Sequence, residues 1–108
     1  MEHIGRHARS EEKIRIMDDY AQMKNAVYVA SKKILDEMAE MYDLEEKHLI
    51  TMTECVQEKL IHSDADTIPE LQAVAIAEVE RLVREYDIKH KEIVKAFTAN
   101  LDLEMRVL

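Results

Sequence analysis

Glycine and proline occur once each in the 108 residues, as Gly5 and Pro69. That near-absence excludes tight-turn architectures and leaves an all-helical fold almost by elimination. It also excludes a glycine-rich phosphate cradle. Tryptophan is missing, and Phe97 with four tyrosines supplies all the aromatic surface, so an apolar ligand pocket is poorly furnished. The single cysteine, Cys55, rules out an intramolecular disulfide and suggests a reducing, cytoplasmic setting. No apolar run reaches membrane length, and no signal or transit peptide is visible, so no membrane role is expected.

What remains is 47% hydrophobic and 35% charged, a globular balance in a chain sized for one domain. The net charge of −8 is concentrated in the middle. Between Asp36 and Glu80 thirteen acids face only Lys47 and Lys59, whereas residues 1–35 sum to +2 and residues 81–108 to +1.

Residues 1–9 read as a flexible arm and residues 10–108 as a single all-helical domain. Ser10 followed by Glu11 and Glu12 makes a helix start. From there to Tyr42 apolar residues alternate at spacings of four and three, with Glu37 breaking the series: Ile16, Tyr20, Met23, Val27, Ala30, Ile34 and Met41. A second stripe runs through Ile14, Met17, Ala21, Tyr28, Leu35, Met38 and Tyr42. The pattern predicts one wide-faced helix over residues 10–42. A rod of about 47 Å would overhang a compact domain of this size, roughly 34 Å across. An overhanging apolar helix needs a partner, so a homodimer through residues 10–42 is expected. A break near Lys24-Asn25 would give an ordinary monomeric bundle instead.

Three shorter helices follow. Asp43 with Glu46 resembles a capping box opening the second, which would run from Leu44 to about His62. His62 to Asp66 is a polar loop. Thr67 with Glu70, and Pro69 in the first turn, open the third, which continues to Tyr86. Asp87 repeats the role of Asp43, and the fourth runs from Ile88 onward. Tyr42-Asp43-Leu44 recurs 44 positions later as Tyr86-Asp87-Ile88, with Leu49-Ile50 answered by Ile93-Val94. The chain therefore reads as helix-corner-helix written twice.

Ala39, Asp43, Leu44, Leu49 and Met52 resemble the helix-turn-helix family in spacing, as do Val83, Asp87, Ile88, Ile93 and Ala96. The resemblance implies DNA binding by the helix after one corner. Both copies carry Asp where the family has a glycine of positive φ. The first reading helix bears Glu45, Glu46, Glu54 and Glu58, which repel phosphate. Only the second unit, with Arg81, Arg84, Lys89, Lys91 and Lys95, suits nucleic acid.

Glu45 and His48 stand at the spacing of a di-iron helix motif, which makes a metal-binding bundle a further alternative. The aligned pair in the second unit is Lys89 and Glu92, so a second ligand pair would have to come from a dimer partner. Cys55 falls on the apolar side of its helix with no basic neighbour to lower its pKa, and the serines have no evident base. His3 and His7 would share a helix face only if the arm were helical. Neither an enzymatic activity nor a cofactor is expected. The leading reading is a small acidic regulatory protein that binds another macromolecule as a homodimer. The partner is expected to be a basic protein surface meeting Asp36, Glu37, Glu40, Glu45, Glu46, Glu54 and Glu58.

Overall fold

A computed structural model describes residues 2–106, with side chains from Asp19 onward. Among the described residues the fold is all-helical, with four helices: α1 (Glu2–Met41), α2 (Glu46–Ile61), α3 (Ile68–Glu85) and α4 (Glu92–Arg106). α1 passes unbroken through Lys24 and Asn25, and it begins upstream of the cap expected at Ser10. Residues 2–9, expected as an arm, continue the same helix. The Ser10 cap, the His3 and His7 side chains, and the stripe positions Ile14, Ile16 and Met17 lie outside the described side chains.

The forty residues of α1 make a rod about 60 Å long at 1.5 Å per residue. The other helices have 16, 18 and 15 residues, which makes each under half that length. The molecule measures 64 × 25 × 18 Å, with a radius of gyration of 17.0 Å. A compact chain of this length would have about 13 Å. The excess is the first half of α1, which projects beyond the bundle.

α1 and α3 pack together at the centre. α2 and α4 each lie against both of them without touching one another. The core runs from Val27, Ile34, Leu35 and Met38 of α1 to Met52, Val56 and Leu60 of α2. It continues through Leu71, Ala75, Val79 and Leu82 of α3 and closes on Ile93, Phe97 and Leu101 of α4. Val56 and Ala75 are fully buried, and their neighbours Cys55 and Val74 only partly.

Asp43 and Asp87 do not cap α2 and α4. Both have positive φ, 52° and 49°. Each follows a helix in the left-handed conformation that ends it. The Leu44 N–H donates back to the Ala39 carbonyl at 3.0 Å, and the Ile88 N–H to the Val83 carbonyl at 3.0 Å. These are Schellman closures, with the apolar residue after the Asp folded back onto the bundle. The physical reason is that Asp tolerates the left-handed region better than most residues with a Cβ. α2 consequently starts at Glu46 with Glu45 before it, and α4 at Glu92, both later than expected. Thr67 does cap α3 as read from the sequence, accepting from the Glu70 N–H at 3.3 Å.

Asp43→Gly and Asp87→Gly should each raise stability by about 0.5–1 kcal/mol, because Gly adopts positive φ without strain. The corresponding Ala variants should lower it. Urea unfolding followed by circular dichroism reads both, and a loss of stability in the Gly variants would restore the N-cap reading.

The two halves correspond in the tertiary structure. Val27, Ser31, Leu35 and Met38 are buried, and so are Leu71, Ala75, Val79 and Leu82, each 44 positions later. After the corner the frame slips by one residue. Met52, Val56 and Leu60 correspond to Phe97, Leu101 and Met105, 45 positions later. The expected match of Leu49-Ile50 with Ile93-Val94 therefore holds in sequence but not in burial. Leu49 is only partly buried where Ile93 is fully buried, and Ile50 is exposed where Val94 is partly buried. The second corner is also longer, with six residues between α3 and α4 against four between α1 and α2.

Candidate functional site

The two corners meet at one end of the bundle. Tyr42 of the first lies against His90 of the second, ring centroids 5.5 Å apart. Tyr86 of the second stacks on His48, in the first turn of α2, at 4.9 Å. Each tyrosine stands just before its left-handed Asp, so the helix closure aims it at the neighbouring corner. His48 is thus engaged with an aromatic ring. Among the described residues no three His, Cys, Asp or Glu side chains converge as a metal site would require. Glu45, the other half of the expected ligand pair, precedes α2 and pairs with Lys47 at 3.2 Å.

The acidic residues singled out in the sequence fall on two connected exposed surfaces. Asp36, Glu37 and Glu40 lie on the solvent side of the last turns of α1, leading to Met41, which is 74% exposed. Glu46, Ile50, Glu54 and Glu58 follow one another at four-residue spacing along α2, all exposed. Residues so spaced share one helix face. Asp36 is paired with Lys32 at 3.7 Å. Among the described residues Glu37, Glu40, Glu46, Glu54 and Glu58 have no ion-pair partner. The surface is therefore a mixed stripe, acid with isolated apolar side chains, rather than a solvated lattice of ion pairs.

The basic set separates in the structure. Arg81 is held by Glu78 at 2.6 Å and by Glu85, and Arg84 reaches Glu80 at 4.0 Å. Lys89, Lys91 and Lys95 are exposed on the second corner and the first turn of α4, without an ion pair among the described residues. Three of the five candidate nucleic-acid contacts thus remain available to phosphate.

Glu78 was not singled out in the sequence, yet it is the one buried carboxylate among the described residues, with a side chain only 3% exposed. It faces α2, where Lys59 stands 3.9 Å away. Its place in the repeat is held in α1 by Ile34, 44 positions earlier, so a charge sits where the other half has an aliphatic. The Arg81 guanidinium donates to it from Nε at 2.7 Å, and this bond, more than the neighbouring charges, holds the Arg81 pKa above its ordinary value. Nearby, burial first and the Glu78 charge second push the Cys55 thiol up. That is the opposite of what a nucleophilic thiolate needs.

At the other end of the bundle, the root of α1 is flanked by two grooves. One, of about 470 Å³, runs between α1 and α2 and is lined by Tyr20, Ala21, Lys24, Tyr28, Leu60 and Ile61, among others. The second, of about 600 Å³, lies on the opposite flank against Ile68 of α3 and also includes Tyr20 and Met23. Lys24 closes the end of α2 by donating to the carbonyls of Ile61 (3.1 Å) and Ser63 (2.9 Å), which fixes the depth of the first groove. The stripes of α1 had marked Tyr20, Ala21 and Tyr28. Ile61 was missed, because its exposure depends on where α2 ends.

No helix among the described residues is long and apolar enough to cross a membrane. Compared with models of protein families, with curated proteins and with solved structures, the chain matches none of them.

Proposed function

We propose that this protein is a small, non-enzymatic regulator that acts as a homodimer by binding a basic surface of another protein. The observation that carries this reading is the unpaired acidic stripe at the corner end: Glu37, Glu40 and Glu46, with Met41 and Ile50 exposed among them. Unpaired carboxylates steer a basic partner in, and exposed apolar side chains hold it once docked. Dimerisation would come from the projecting half of α1, at the opposite end, so both contacts fit on one small bundle. The seven methionines, including exposed Met41, would make an adaptable contact surface.

The test is capture with the purified protein as bait, followed by titration of the bound protein. Reversing Glu37, Glu40 and Glu46 to Lys should weaken binding by about tenfold or more, with the loss largest at low salt. Unchanged affinity would remove the acidic stripe from the reading. A DNA-binding reading stands second. It is favoured by the left-handed Asp87, which supplies the backbone geometry that the helix-turn-helix glycine provides. The same capture repeated with Lys89, Lys91 and Lys95 reversed to Glu separates the two: loss of a bound nucleic acid in that variant would put DNA first.

A further inference from the structure

We infer that the groove between α1 and α2 is the seat for the projecting half of α1 from a second copy, which crosses antiparallel. This rests on the homodimer reading and specifies its geometry. Three observations converge on it.

The first is continuity. Ala21 and Tyr28 line the groove, and by sequence spacing they extend the stripe of Ile14 and Met17 on the projecting half. Higher up, the same stripe enters the core at Leu35, which is fully buried. One apolar line therefore runs from buried, to half-covered, to the part of the rod outside the bundle.

The second is direction. In a parallel pair the projecting halves would cover each other and leave Ile61 and the open side of Tyr28 facing water. Ile61 is 57% exposed in the single chain. In an antiparallel pair centred near residue 19, each projecting half runs up the partner's rod and fills that groove. The twofold axis makes both contacts at once.

The third is charge. Glu54 and Glu58 share the α2 face of Gln57 and Ile61, which line the groove. Along the projecting half, Arg6, Arg9 and Lys13 recur at spacings of three and four, a stripe beside Ser10, Ile14 and Met17. Antiparallel helices place like flanks together, so this basic stripe comes to the flank on which α2 lies. Glu54 and Glu58 thus face a second copy, and the corner-end acids stay free for another partner.

The test uses disulfide trapping of the full chain in a Cys55→Ser background. Lys24 donates to the Ile61 carbonyl, so Ile61 is level with Lys24. Ile14 lies ten residues earlier, about 15 Å down the rod, too far for a disulfide with Ile61 of the same chain. In the antiparallel pair Ile14 of one copy is opposite Lys24 and Ile61 of the other. An equal mixture of Ile14→Cys and Ile61→Cys chains should therefore link 14 to 61 on mild oxidation, and neither chain alone should link. Unchanged helical circular dichroism and melting confirm that each variant is folded. A 14-to-14 link in the Ile14→Cys chain alone means a parallel rod pair and overturns the groove assignment while keeping the dimer. A dimeric mass with neither link overturns the groove as well. A monomeric mass by light scattering overturns both. Independently, reversing Glu54 and Glu58 to Lys should raise the dimer Kd about tenfold, and Arg9→Glu with Lys13→Glu in the other copy should restore it. No change in Kd would remove the charge argument.

Discussion

Phe97→Ala should destabilise the protein by about 3–5 kcal/mol, the largest effect expected of any single truncation here. Phe97 is the only phenylalanine and, among the described residues, the largest fully buried side chain. It sits on α4, which packs on α1 and α3, so its truncation leaves a cavity among the three helices. With roughly 4–8 °C of Tm for each kcal/mol in a domain this size, the midpoint should fall by about 15–30 °C. Leu103→Ala on the same helix is the control. Leu103 is 60% exposed, and its loss should stay within about 0.5 kcal/mol. Thermal melting of the two variants side by side checks the prediction. Similar midpoints would mean that α4 is not seated as described.

Removing Arg81 should harm the fold, and removing Glu78 as well should repair it. Glu78 is buried and its carboxylate is satisfied mainly by Arg81, with Lys59 more distant at 3.9 Å. Arg81→Leu leaves that charge in the interior short of its principal donor, a situation that strongly destabilises folded proteins. Glu78→Leu places an aliphatic where the other half of the repeat has Ile34 and leaves Arg81 half-exposed and still paired with Glu85, and with both members replaced the result is expected to range from neutral to about 4 kcal/mol of stabilisation. The double variant should therefore be more stable than Arg81→Leu alone. Urea unfolding of the two single variants and the double variant completes the cycle, and additive losses would show that the pair is not coupled. An α2–α3 contact built on a charge rather than a leucine also fixes register, since one turn of slip would strand the carboxylate.

These effects show which parts of the protein could be read without its structure. The helices were legible because apolar spacing and breaker scarcity are local properties. Val27, Ile34, Leu35 and Met38 repeat as a helix face whatever packs on them. Thr67 and Pro69 were equally legible, since a cap and its first turn involve neighbours in the chain. Asp43 and Asp87 were misread because an aspartate suits both an N-cap and a left-handed helix end. The two roles differ only in the backbone, and the choice falls to whether Leu44 and Ile88 can fold back onto an apolar surface.

The acidic surface was legible as composition and invisible as geometry. Counting charges identified Glu46, Glu54 and Glu58. That they form one unpaired stripe with Ile50 followed only once α2 began at Glu46 and turned its other face to the core. Arg81 and Arg84 passed for phosphate contacts in the sequence, and helical pairing with Glu78, Glu80 and Glu85 engages both.

The sequence by itself determined that this chain is helical, carries its negative charge in the middle, and repeats a corner after 44 residues. Local spacing and the lack of glycine suffice for that. Tertiary structure alone decided that the corners lie together through Tyr42 with His90 and Tyr86 with His48. It also decided that Glu78 is buried and that a groove opens beside the root of α1. Those features depend on residues far apart in the chain being brought into contact, and the burial that ranks them exists only after the helices have packed.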